Sequence, residues 1–201
     1  MNLKAPLYAI IGICLLVIIV VCTTLNKNDT DINLISTALI EYQDFPKAGI
    51  NFYDVSGVLS KPVAFKAVID NLTDHYRNKK IDVILAVDAR GFLFATPLAY
   101  KLNIPVVMLR KPGKLPGKTI SSDFSKEYGK DVIEVQENAL QPGQRVIIID
   151  DLIATGGTFK AAIKLAQQAQ AEVVEVTAIV ELTEFKNTRD LNVSLYSVVK
   201  K

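Results

Sequence analysis

Cysteine, histidine and tryptophan are nearly missing from this chain of 201 residues, which has two, one and none of them. Both cysteines, Cys14 and Cys22, fall in the first 25 residues. The remainder therefore has no material for a disulfide framework, a zinc site or a thiol nucleophile. His75 stands in a charged, helical stretch where a solvated surface position is expected, so Ser-His-Asp chemistry has little support. A net charge of +2 gives no electrostatic basis for binding nucleic acid.

What is there concentrates in one stretch. Val146, Ile147, Ile148 and Ile149 are consecutive β-branched residues preceded by Pro142-Gly143, the pattern of a parallel strand buried on both faces. Asp150 and Asp151 follow, then Leu152-Ile153-Ala154, then the turn Thr155-Gly156-Gly157-Thr158. From Phe159 to Gln170, Ala, Lys, Leu and Gln predict a helix. Strand, glycine turn and helix N-terminus together offer backbone N–H groups to an anion. After the last glycine of this turn there is no Lys-Ser or Lys-Thr pair, which excludes a nucleotide-triphosphate loop, and there is no Gly-x-Gly-x-x-Gly. Paired carboxylates before a phosphate cradle suit a sugar phosphate, because carboxylates accept hydrogen bonds from vicinal hydroxyls. Neighbouring strand residues point to opposite faces, so the two acids divide the work. One meets a ribose diol; the other faces a metal, directly or only through the bound sugar phosphate and water, or braces the turn.

The run Ile148 to Thr158 resembles the phosphoribosyl-pyrophosphate motif of the type I phosphoribosyltransferases. Asp44 to Ile50, Asp88-Ala89-Arg90-Gly91-Phe92, Arg110 to Gly117 and Glu127 to Lys130 narrow the resemblance to the branch that acts on adenine. It runs from about Ile32 to the C-terminus. It implies an α/β fold with a mostly parallel sheet flanked by helices, and a homodimer. The implied reaction is purine salvage: adenine and phosphoribosyl pyrophosphate give AMP and pyrophosphate with Mg²⁺. By the same resemblance Ala154, Thr155, Gly156, Gly157 and Thr158 hold the 5′-phosphate. Arg90, Arg110, Lys111 and Lys114 serve the pyrophosphate, Phe52 and the backbone of Ile50 to Tyr53 the base, and Leu152 belongs to the substrate-binding set. Glu127 is the implied acid/base. The usual family pattern has arginine at Tyr53 and proline at Gly57. Two alternatives stand beside this reading: a phosphoribosyltransferase for hypoxanthine or xanthine, and a non-catalytic sugar-phosphate regulator on the same fold.

The chain divides into residues 1–25, a polar linker over 26–31, and the domain over 32–201. Residues 7–25 carry no charge, and as a helix at about 1.5 Å per residue they would span about 28 Å, a bilayer's hydrocarbon core. That length predicts one uncleaved transmembrane anchor. Lys4 and Lys27 flank it and do not set its orientation. Supply of a charged, cytosolic donor predicts a cytoplasmic domain. Leu34, Ile35, Ala38, Leu39 and Tyr42 predict an amphipathic helix over Asn33–Tyr42, and Pro62 opens a second that ends near Arg77. Strands are expected over Ile81–Val87, Ile104–Leu109, Val173–Leu182 and Ser194–Val199, and a mobile loop serving as a lid over Leu115–Lys130.

Overall fold

The computed structural model of the protein describes residues 28–126, 129–188 and 190–201. A helix, α1, occupies 28–38, and its Ile35 and Ala38 are buried. Residues 28–31, expected in the linker, are thus helical. The expected anchor over 1–25 lies outside the described residues. Among the described residues no helix is long and apolar enough to cross a membrane.

The first departure from expectation follows at once. Ile40–Tyr42 is strand β1, not the last turn of a helix, and it pairs antiparallel with β2 (Phe52–Asp54), Tyr42 opposite Phe52. Ile40 and Tyr42 fit period 2 as well as helical spacing, and cross-strand pairing to Phe52–Asp54 decides between them. After a short helix α2 (Ser56–Leu59), α3 (Pro62–Tyr76) starts with proline in its first turn. It buries Ala64, Val68, Leu72 and Tyr76 along one stripe.

Five strands form a wholly parallel sheet: β3 (Val83–Val87), β4 (Val106–Leu109), β7 (Arg145–Ile153), β8 (Glu172–Glu181) and β9 (Ser194–Lys200). Their order is β4-β3-β7-β8-β9. Helix α4 (Gly91–Leu102) links β3 to β4, and α5 (Gly157–Gln168) links β7 to β8. Alternation sends neighbouring residues to opposite layers. Ile84, Ala86, Ile147 and Ile149 join α1, α3 and α4 in one core. Val83, Leu85, Val146 and Ile148 join α5 in the other. The four residues Val146 to Ile149 are wholly buried, each contributing about 1.5–3 kcal/mol relative to exposure.

The expected lid loop is in fact a second hairpin, β5 (Thr119–Lys126) antiparallel to β6 (Gly129–Gln136). Only one face is apolar, with Ile133 and Val135 packed into the α5 core, and the serines on β5 mask its period. His75 is also placed differently. Its ring stacks on Tyr196 at 3.6 Å, and its Nε2 lies 2.7 Å from Glu175 Oε2, an oxygen Lys79 also reaches at 2.8 Å. The network joins α3 to β8 and β9, which a helical pattern alone does not disclose.

Candidate active site

The strand order reverses between β3 and β7: from β3 the chain crosses to β4 on one side, then to β7 on the other. Open α/β sheets bind ligands at such a switch point, beyond the carboxyl ends of the strands. Here those ends carry Asp88-Ala89-Arg90 after β3 and Asp150 to Thr158 within and after β7. The switch point therefore brings Arg90, Asp150, Asp151 and the glycine turn together.

Gly91 opens α4 directly against β7. A Cβ built on it would stand 2.6 Å from the Ile149 carbonyl oxygen, so only glycine permits this approach. Arg90 is thereby delivered to Asp151, with Nε 2.6 Å from Oδ2. The approach is off the N–H axis, an ion pair rather than a hydrogen bond, and Asp151 Oδ2 is left without a hydrogen-bond partner. The guanidinium also lies 5.3 Å from the centre of the Phe52 ring. The Asp151 N–H donates to Asp150 Oδ1 at 2.8 Å. Burial, then the neighbouring Asp151 carboxylate, hold Asp150 well above the usual carboxylate range. Asp151 is raised as well by burial, with Arg90 opposing. Asp54 goes the other way: the Ser56 hydroxyl hydrogen-bonds its carboxylate and lowers it.

Gly156 precedes α5 at φ +82°, and no side chain caps the helix. Its first turn, Gly157 and Thr158, stands beside Ala154 and Thr155, and an uncapped helix start of this kind can receive an anion. Arg110 is not a free cation. Its Nε donates to Asp88 Oδ2 at 3.1 Å, bracing the turn that carries Arg90. Lys111 and Lys114 follow it, both exposed. Two backbone hydrogen bonds, Arg110 to Glu134 at 2.9 Å and back at 2.7 Å, tie this cationic turn to β6. Glu127 lies between β5 and β6 in the sequence, outside the described residues.

Phe52, Leu152 and Ala154 line one cleft of about 540 Å³, large enough for a purine. Its remaining walls are Gly49 to Asn51, Tyr53, Leu182 to Phe185 and Lys201. Phe45 backs Phe52 edge-on at 5.2 Å.

The phosphoribosyl transferase domain, a known family, matches residues 54–198. The adenine phosphoribosyltransferase of Stochomys longicaudatus is 46% identical over 167 residues, which is 82% of this chain and 93% of that protein. That of Treponema denticola is 45% identical over 149 residues, 74% of this chain and 78% of its own length. The chain belongs to the adenine phosphoribosyltransferase family. Among solved structures, an adenine phosphoribosyltransferase from Saccharomyces cerevisiae, complexed with adenine and an imino-altritol bisphosphate, matches with a TM-score of 0.79. It is 37% identical, over 85% of this chain and 99% of that one. The Trypanosoma brucei enzyme, in complex with AMP, pyrophosphate and ribose-5-phosphate, matches with 0.76 at 32% identity, over 83% and 77%.

Some residues of this adenine phosphoribosyltransferase site escaped the sequence reading. Asp88 sat inside a recognised motif, yet its bond to Arg110 depends on β3 and β4 pairing in parallel. Leu182 to Phe185 and Lys201 reach the cleft from beyond the ends of β8 and β9, where no local pattern marks them.

The carboxylate pair yields a stability prediction for the unliganded protein. A carboxyl raised on folding contributes full stability only below its ordinary pKa, and that contribution is lost as pH climbs through the raised value. Asp150→Asn should flatten this loss and raise the melting temperature at pH 7.5 by about 2–4 °C, the shift that ~1 kcal/mol produces in a domain of this size. Thermal melts from pH 4 to 8 check it, and a lowered melting temperature with the slope intact would refute the account.

Proposed function

We propose that the chain transfers a 5-phosphoribosyl group from phosphoribosyl pyrophosphate to N9 of adenine, giving AMP and pyrophosphate. The observation that carries this reading is one crevice holding an acidic pair between an uncapped helix N-terminus and a cationic turn, beside a purine-sized cleft. The 5′-phosphate rests on Ala154 to Thr158, and the ribose diol on Asp150 or Asp151. The pyrophosphate meets Arg90, Lys111 and Lys114. Phe52 and Leu152 sandwich the base.

As the C1′–O bond to pyrophosphate breaks, positive charge builds on the ribose, and the N9 lone pair forms the new C1′–N9 bond. The proton lost from N9 passes to Glu127. No protein nucleophile is required: alignment and charge stabilisation carry the rate. Arg90 must leave Asp151 to take up pyrophosphate oxygens, and the diol then replaces it at the carboxylate. Hydrogen bonds to a charged group are each worth about 1.5–3 kcal/mol, so Asp151→Asn should weaken donor binding about 10- to 150-fold.

The donor set also fits magnesium. Asp150 and Asp151 are hard oxygen ligands, and no cluster of three or more acidic, histidine or cysteine side chains occurs among the described residues. Two carboxylates are too few for a protein cage, which suits an ion that keeps phosphate and water ligands. When bound, it neutralises charge on the leaving pyrophosphate.

Selectivity follows from the 50–53 backbone, whose carbonyl groups accept from a 6-amino group and meet a 6-oxo group unfavourably. Adenine should be preferred over hypoxanthine and guanine by kcat/KM, measured base by base on protein lacking residues 1–27. Comparable efficiency with hypoxanthine would reassign the base. Glu127→Gln should lower kcat by about 10²–10⁴-fold with donor affinity preserved, as expected for proton transfer in the transition state. Turnover equal to the parent's removes Glu127 from the mechanism.

Residues 1–25 are proposed to anchor the enzyme to a membrane with the domain in the cytoplasm, supported by the uncharged run and by donor supply. Exposed Leu93 and Tyr100, seven residues apart on α4, support a homodimer. Protease added to intact cells should spare the domain, and the domain released from its anchor should sediment as two chains. Degradation from outside, or a single-chain mass, would overturn the respective point.

A further inference from the structure

The walls of the base cleft have separate origins. Its hood, residues 49–53, hangs from the β1–β2 pair, which forms a sheet of its own beside the five-stranded one. Its rim is Leu152, Ala154 and Leu182 to Phe185, at the carboxyl end of the central sheet. A flat base held between two walls is sensitive to their spacing, because dispersion falls off steeply over a gap of about 0.5–1 Å. Something must therefore fix hood to rim.

Lys201 touches both. Its backbone is locked to the rim: its N–H donates to the Glu181 carbonyl at 2.9 Å, and its own backbone oxygen accepts from Thr183 N at 2.7 Å and Thr183 Oγ1 at 2.7 Å. Its side chain crosses to the hood. Nζ donates to Ser36 Oγ at 2.7 Å, on the helix that leads into β1, and stands 5.7 Å from the centre of the Tyr53 ring. Tyr53 is itself a lining residue, and it pairs across the hairpin with Glu41. Burial, then Glu41 and Glu184, push its hydroxyl pKa up, so the ring stays neutral beneath the ammonium. An ammonium over a neutral ring and a charge-assisted hydrogen bond pull in the same direction.

We propose that Lys201 is a positioning residue for the purine: by joining Ser36 and Tyr53 to the sheet rim it sets the height of the hood above Leu152, and so the affinity for the base. The proposal rests on the phosphoribosyltransferase reading. The partners of Lys201, namely Ser36, Tyr53, Glu181 and Thr183, belong to neither the acidic pair nor the cationic turn, so donor binding and chemistry should not depend on it.

Steady-state kinetics with adenine and donor varied separately test the idea. Lys201→Met keeps the apolar stem and removes the charge. It should raise KM for adenine about tenfold, the joint worth of the charge-assisted bond to Ser36 and the contact over the Tyr53 ring, while kcat and donor KM stay within about twofold. Lys201→Arg, which keeps a cation over the ring, should recover adenine KM to within about threefold of the parent. Ser36→Ala should raise adenine KM about threefold alone and add nothing to Lys201→Met, since the pair shares one bond. Equal losses in adenine and donor KM, or an unchanged adenine KM, would overturn the proposal. If Lys201→Met fails to fold, Ser36→Ala decides by the same criterion. A parent enzyme inactive with adenine sinks the phosphoribosyltransferase reading and this inference together, whereas an active parent with an indifferent Lys201 sinks only the inference.

Discussion

The distance between helix α4 and strand β7 governs the site. Gly91 lets the helix start against the Ile149 carbonyl with no side chain between them. That contact brings the turn after β3 alongside the end of β7, and Arg90 to within 2.6 Å of Asp151. Parallel pairing of β3 with β7 holds the two strand ends level, Ala86 opposite Ile149. Parallel pairing of β3 with β4 lets Asp88 engage Arg110. A methyl group at residue 91 would push these parts apart together, because each reaches the crevice through that packing.

What the sequence disclosed was local, and what it concealed was long-range. The buried strand at 146–149, the glycine turn and the helix that follows it all follow from short windows or from motifs. The helix near Asn33 ended early because Ile40 and Tyr42 satisfy two periods at once, and only their partners on β2 select one. The hairpin at 119–136 looked like a loop because its serines interrupt an alternation that is apolar on one face. His75 looked solvated because its partners, Glu175 and Tyr196, lie about a hundred residues away. Lys201 lies beyond any pattern argument: its part in the cleft exists only after β9 has paired with β8.

The acidic pair illustrates how a site departs from what stability prefers. Two carboxylates on consecutive residues, both pushed toward protonation by burial, are poor material for holding a strand together. Arg90 offsets part of that cost in the unliganded protein. The rigid surroundings, with Ile147 to Ile149 wholly buried just before the pair, keep the carboxylates from moving apart. The strain is thus confined to the crevice, and the core around it is apolar and fully packed.

Along the crevice the groups differ in kind: N–H donors at the helix start, the carboxyl groups of Asp150 and Asp151, then the cations Arg90 and, on the next turn, Lys111. A ligand reads this sequence as a polarity code. Only a molecule with anion, hydroxyl donors and anion in that order, at that spacing, meets a favourable field along its whole length. A free phosphate satisfies one pole and is repelled by the middle. A compact polyphosphate can bridge the poles only by laying negative charge over the carboxylates. Under the proposed reading, discrimination of the donor from other phosphates rests on the order of charges rather than on any single contact.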